Sequence, residues 1–435
     1  MATHHTPAQW NNFVAALRQS VNPATGCPEP ISLALAAAKA AACLSAAPTQ
    51  IRCYVSPNLM KNGLGVTVPG TGMTGLPVAA ALGAIGGQPD AGLNVLCGVT
   101  ADDIAAGKAF LASGAVSVEI KEPCSHVLYS EATVYSGDDQ ATVTICGDHT
   151  HVTEISHNGT IIYQDDAITH QGGSDNPFAD ACARDIYDFA TQAPVSMINF
   201  MRQAADLNDA LAREGMSNPY GLQIGRSLEK QRERGLLSKD LLSDIMIRTS
   251  SASDARMGGA QLPAMSNSGS GNQGIAATQP VVVVAEYLQA DEEQLIRALT
   301  LSHLMAIYIH SQFPPLSALC AATTASMGAA AGIAWLFEGK YEPVAMAISS
   351  MIGDITGIIC DGASNSCAMK VSSGVSAAYK AVLMAMNQQC VSGNDGIVCT
   401  DVDKSIANLC ALASLSMQHT DVQIIEIMAN KAKSA

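Results

Sequence analysis

The chain has 435 residues, enough for two or three domains and a substantial core. Apolar residues make up 48% and charged residues 14%, while aromatics are only 4%, so the core must be closely packed small side chains, mostly on helices. A formal net charge of −15 without a basic stripe argues against a nucleic-acid partner, and thirteen cysteines at this length argue against a disulfide scaffold.

The first ten residues lack a charged segment followed by an apolar run, so no signal peptide is expected and a reducing cytoplasm is the natural location. Residues 9–20 carry Phe13, Ala16 and Leu17 at helical spacing. Pro28-Glu29-Pro30 then opens a helix predicted to run through the Ala-rich stretch 31–47, because proline in a first turn gives up an N–H that has no partner there. Residues 51–55 read as a strand. A glycine-rich run over 61–75 follows, then a small-residue helix over 76–85.

Composition changes near Gly92. Residues 100–113 read as a helix with Asp102 and Asp103 in its first turn. Period-two alternation then predicts strands at 116–121, 126–135, 141–146, 152–156 and 160–163, with hairpin turns at Gly137-Asp138-Asp139 and Asn158-Gly159. These residues form a small antiparallel sheet module. From Asp180 onward the chain reads as helical, interrupted mainly over 258–274.

The expected fold class is therefore α+β. A mostly helical, small-residue-rich main domain, residues 1–91 and 167–435, carries an inserted α+β module at 92–166. The uncharged stretch 316–337 is mostly Ala, Gly, Ser and Thr, too weakly apolar for a bilayer span, and reads as a buried helix. The expectation is no membrane association; the oligomeric state is left open, a homo-oligomer included.

The chemistry-bearing residues are thiols. Cys320, Cys360 and Cys367 each lie beside Gly, Ser or Asn instead of inside a plain apolar run. There is no Cys-x-x-Cys pair, which removes the usual zinc-ribbon, thioredoxin and ferredoxin readings. Three thiolates suit a 4Fe–4S cluster with one open iron site able to act as a Lewis acid. The same spacing is met by three buried cysteines acting as small apolar residues. Cys390 and Cys399, near the loop at 393–396, stay ambiguous.

Cys27 precedes a helix N-terminus, where unpaired N–H groups favour anions, so its thiol is expected to ionise easily and to serve as a general base; an incidental cysteine in a capping loop is the alternative. The run Ser266-Asn267-Ser268-Gly269-Ser270-Gly271-Asn272-Gln273-Gly274 precedes a helix and reads as a site for a small carboxylate or as a flexible loop. The run 68–75 invites the same readings, with a tight turn favoured. His303 and His310 fall on one helical face and read as core or surface filler, with a role in a site as the alternative, and Asp148-His149-Thr150-His151 reads as a solvent-exposed hairpin.

Taken together, Asn22-Pro23-Ala24-Thr25-Gly26-Cys27-Pro28-Glu29-Pro30, the 66–73 run, Ser268 to Gly274, Cys320, Cys360-Asp361-Gly362-Ala363 and Cys367-Ala368-Met369-Lys370 resemble the L-cysteine desulfidases. These belong with the iron–sulfur L-serine dehydratases through the serine dehydratase α-chain domain, whose bacterial relatives include uncharacterised proteins. The resemblance implies a pyridoxal-independent lyase acting on a small amino acid, with Cys320, Cys360 and Cys367 holding a 4Fe–4S cluster and Cys27 as the base. Thr25, Ser266, Asn267, Ser268, Gly269, Ser270, Gly271 and Asn272 are expected to hold substrate. The family's usual Thr after the first motif's Cys is here Pro28. L-cysteine is the expected substrate, with L-serine as the alternative. Two non-enzymatic readings also remain open, a redox sensor and a small-molecule binding protein.

Overall fold

A computed structural model describes residues 7–165, 176–391 and 393–433. The expected module boundary at 166/167 lies outside the described residues. The fold is α+β, as composition and periodicity imply: a large helical body beside a six-stranded sheet.

The helical body is built from Gly271–Tyr287, Glu292–His310, Ala321–Glu338, Tyr341–Ile355 and Cys367–Met386, packed around Ala, Gly, Val and Ile side chains. Small residues let these helices approach closely. A Cβ at Gly328 would stand 2.2 Å from the carbonyl oxygen of Ser302 on the neighbouring helix, so only glycine fits. The uncharged stretch forms Ala321–Glu338, buried over most of its length, and stops at Gly339 in a left-handed conformation. Among the described residues no helix is long and apolar enough to cross a membrane.

The strands are β1 (Gln50–Val55), β2 (Val116–Ile120), β3 (Tyr129–Ser136), β4 (Asp139–Cys146), β5 (Val152–His157) and β6 (Thr160–Gln164), in spatial order β2-β1-β3-β4-β5-β6. The outer pairing β1–β2 is parallel and the other four are antiparallel, so the sheet is mixed where alternation alone implies antiparallel pairing. Strand β1 comes from outside 92–166 and lies second in the sheet. Alternate residues of β3 and β4 (Ala132, Val134, Ala141, Val143, Ile145) form one core with Pro28–Ala42 and Leu76–Gly86. The opposite face carries polar pairs such as Thr133–Thr142, joined at 2.9 Å.

The first Ala-rich helix spans Pro28–Ala42, shorter at its end than the composition implies: Ser45, Pro48 and Thr49 cannot extend an Ala run. The helix expected to resume at Ile275, after the second glycine-rich run, starts at Gly271, four residues earlier.

Candidate functional site

Two loops are brought together by an isolated β-bridge, Leu319 to Ile359. The Cys320 N–H donates to the Ile358 carbonyl at 3.1 Å, and the Cys360 N–H donates to the Ala318 carbonyl at 2.7 Å. This pairing sets the two cysteines on adjacent backbones. Lys61 holds the same place from beneath. Its ammonium, fully buried, donates to the carbonyls of Ser317 (3.4 Å) and Cys360 (3.3 Å) and to the Asp421 carboxylate (2.5 Å). Cys367 opens its helix six residues after the chain turns through Asp361 and Gly362, and the Ser364 N–H donates to its sulfur at 3.4 Å.

Cys27, at the N-cap of Pro28–Ala42, faces the same place. All four cysteines line one cleft of about 120 Å³. Four helix N-termini meet there: Pro28–Ala42, Gly271–Tyr287, Ala321–Glu338 and Cys367–Met386. Their dipoles favour negative charge in the cleft, although the first N–H groups of Cys367–Met386 are already spent on Ser364, Asn365 and Ser366 and two of those of Pro28–Ala42 are missing at prolines.

Burial opposes that. The Cys27 thiol is pushed up to about 11 by burial, with Glu29 and Cys367 adding to the effect and the Arg256 guanidinium opposing it. The expectation of an easily ionised Cys27 is therefore corrected: loss of water outweighs the helix end. Burial also raises Cys320, to about 12, with repulsion from Cys360 and Cys367 contributing, and raises Cys367. Lys370, paired with Asp361, pulls both of these thiols the other way.

The loop over 264–274 is not slack. Pro23 and Ala24 pair with Met265 and Ala264, and Ser266 donates through both N–H and hydroxyl to the Asn22 carbonyl (2.9 and 2.7 Å). Asn267, fully buried, donates to His303 Nδ1 at 3.1 Å, and His303 Nε2 meets the Thr278 hydroxyl at 2.9 Å. His303 is thus a neutral core residue that anchors the loop. The N–H groups of 266, 267, 268 and 270 are all spent on the protein, so they are not an anion nest. Gly271 matters sterically, because a Cβ there would stand 2.0 Å from Arg256 Nε. Of the expected substrate residues, Ser268, Gly269, Ser270 and Asn272 line the cleft; Thr25, Ser266, Asn267 and Gly271 do not. Asn272 spends its amide on Ser253 and the Met257 sulfur. The 68–75 run is a tight turn, closed by a Val68 N–H bond to the Met73 carbonyl. Neither Cys390 nor Cys399 lines the cleft.

Four further lining residues escape sequence reading: Glu29, Asn62, Arg256 and His149. Arg256 is 5% exposed and forms no ion pair with a carboxylate among the described residues; one N–H₂ group donates to the Gly26 carbonyl at 3.2 Å. Glu29 is 6% exposed and accepts from Asn62 at 3.1 Å. Asp148 and Thr150 are exposed, as the hairpin reading expects, but His149 is not. Its turn joins β4 to β5, its Nε2 is sealed from solvent, and the residue lines the cleft. The signal available in the sequence was Pro-Glu-Pro at a helix start, which buries the glutamate; nothing local marked the other three.

Comparison with known proteins follows this geometry. Residues 90–426 match the model of the serine dehydratase alpha chain. The chain belongs to that family, a family of lyases. It is 61% identical over 427 residues to the UPF0597 protein YhaM of Shigella boydii serotype 4, with 98% of each chain covered. It is 62% identical over 428 residues to the UPF0597 protein YhaM of Escherichia coli O127:H6, again with 98% coverage. The family match spans the cleft's histidine and cluster-candidate cysteines but starts after Cys27, which lies in the part shared with the YhaM proteins.

The residues fit an iron–sulfur group by donor chemistry. Three thiols line one cleft and raise one another's cost of ionisation, which a bound cation relieves by replacing their protons. In the ligand-free cleft no three donors among the described residues are already gathered for a metal ion.

Proposed function

We propose that this chain is an iron–sulfur-dependent, pyridoxal-independent lyase of a reducing cytoplasm, acting on a small L-amino acid, foremost L-cysteine. The observation that carries the reading is the meeting of Cys27, Cys320, Cys360 and Cys367, from four distant segments, on one cleft beneath four helix N-termini. Thirteen unpaired cysteines suit a reducing compartment.

Cys320, Cys360 and Cys367 hold the cluster in this reading, leaving one iron for substrate. When bound, the cluster supplies Lewis acidity toward the substrate carboxylate and the leaving group. The chain's own residues do the rest. The Gly269 N–H, the Ser270 hydroxyl and the first-turn N–H groups of Gly271–Tyr287 orient the carboxylate, with Ser268 holding the loop through Ser20 and Asn267. Cys27 takes the Cα proton as thiolate. A thiol held at about 11 is rarely ionised at neutral pH, but once ionised it is a strong base, suited to a weakly acidic C–H. Arg256 stabilises the ionised sulfur. As the proton moves to Cys27 Sγ, the Cα–H electron pair forms the Cα=Cβ bond and the Cβ–S bond breaks with sulfide carrying off its pair. The released 2-aminoacrylate tautomerises to an imine, and water hydrolyses it to pyruvate and ammonium.

The family's description favours a second reading, dehydration of L-serine by the same residues. Hydroxide is the poorer leaving group. The test is the visible spectrum of anaerobically purified and reconstituted protein, followed by pyruvate and sulfide assays on L-cysteine and L-serine. The expected result is a broad visible absorbance and pyruvate, with sulfide from L-cysteine. A chromophore without pyruvate from either amino acid favours a redox sensor; a colourless protein after reconstitution favours a binding protein and ends the lyase reading.

A further inference from the structure

The cleft lining carries both signs of charge. Arg256 is a buried cation with no carboxylate partner among the described residues. The lining also holds acceptors with no cation paired to them: the Glu29 carboxylate, Asn62 Oδ1 and Gln273 Oε1. Glu29 and Asn62 are each 6% exposed and Gln273 is 3% exposed, and the two amide oxygens have no hydrogen-bond partner. Asn62, which lines the cleft, commits its N–H₂ to Glu29 and leaves its oxygen without a partner. A buried acceptor without a partner costs about 1–3 kcal/mol, so two bare amide oxygens and a carboxylate around one small cleft call for a shared donor.

His149 completes the set from the sheet. Asp148 accepts the N–H groups of Thr150 and His151, both at 2.6 Å, which fixes the turn that carries it. Its Nε2 is unpartnered and sealed, and Glu29 lies near enough to favour its protonated form, though burial dominates and keeps it neutral. A neutral imidazole nitrogen can accept one further hydrogen bond. A water could serve one acceptor; a primary ammonium brings three N–H donors and a full charge to set against Glu29.

We propose that Glu29, Asn62, Gln273 and His149 form a receptor for the primary ammonium of the substrate, and that the sheet module belongs to the active site because it supplies His149. The inference rests on the lyase reading for what then happens to the substrate. It stands apart from it as a binding site for free α-amino acids. Substrates with a blocked or absent α-amine leave the acceptors unpaired and bind poorly.

The test is calorimetric titration of the anaerobically reconstituted full chain with L-alanine, which has no leaving group, and with propionate, its counterpart lacking the amine. The wild type is expected to bind L-alanine at least about tenfold more tightly than propionate, since a hydrogen bond to a charged group is worth about 1.5–3 kcal/mol. Glu29→Gln is expected to weaken L-alanine by about tenfold to a hundredfold and His149→Ala by about threefold to tenfold, with propionate unchanged in both. His149 sits on a surface turn, so that variant keeps the test open if Glu29→Gln does not fold. Equal binding of the two ligands by the wild type, binding of neither, or L-alanine affinity unchanged in His149→Ala overturns the receptor. Pyruvate formation is scored separately. Alanine selectivity without pyruvate keeps the receptor and removes the lyase reading, whereas pyruvate without selectivity does the reverse.

Discussion

Replacing Lys61 by methionine is a direct test of how the cleft is held open. The Lys61 side chain is fully buried, and its ammonium ties the Asp421 carboxylate of Met417–Lys433 to the carbonyls of Ser317 and Cys360. Methionine keeps the stem's volume but strands a carboxylate that is itself 8% exposed. Breaking a buried pair by removing one partner costs about 3–5 kcal/mol. With about 2.1 cal/mol/K per residue over 435 residues, the unfolding entropy is roughly 0.9 kcal/mol/K, so the melting temperature should fall by about 3–6 °C. The double variant Lys61→Met, Asp421→Leu removes both charges and should regain much of that loss. Iron content after reconstitution should fall in both variants, because the Cys360 and Ser317 carbonyls lose their common donor. An unchanged melting temperature in Lys61→Met, or a double variant no better than the single one, refutes the reasoning.

The remaining predictions follow from the cleft and the core. Cys360→Ala should lose the visible chromophore on reconstitution, whereas Cys27→Ala should keep it and lose turnover; full activity in Cys27→Ala removes the base assignment. Gly271→Ala drives a methyl into Arg256 Nε and should cut kcat by tenfold or more while leaving the chromophore, measured by pyruvate release and absorbance. Buried His303 and His310 are pushed down to about 3 and about 4, below the ordinary 6.5, so the unfolded chain takes up protons first as pH falls. Stability is then held above pH 6.5 and lost as the pH drops toward these values, by about 2 kcal/mol per histidine at pH 5. His310→Phe, beside Phe313, should remove its share of that loss in urea titrations at pH 7.5 and 5; an identical acid loss in both proteins contradicts it.

Much of this was legible because it was periodic. The alternation over 116–163 fixes strands, and Asn158 and Gly159, both at positive φ, form the turn their identity demands. The cysteines stood out because they sit beside turn residues at helix starts, and those starts are where the cleft lies. What was not legible depends on tertiary pairing. β1 joins β2 in parallel across the intervening residues 56–115, which no local pattern specifies. Lys61 reads as a surface cation until Asp421, 360 positions later, is packed on it. His149 reads as a polar hairpin residue because the surface that buries it is the first turn of Pro28–Ala42, far along the chain.

The balance of forces at Cys27 decides what kind of base it can be. A helix N-terminus favours an anion by about 0.3–1 kcal/mol, and about 2 in partly buried sites. Raising a thiol from 9 to about 11 makes its ionisation costlier by about 3 kcal/mol, so burial prevails in the ligand-free cleft. That outcome serves the proposed chemistry. A sulfur ionised at rest would be a weak base and an easy target for oxidation. A buried thiol stays protonated at rest and is a strong base once ionised, while Arg256 beside it offsets part of the cost of ionising it.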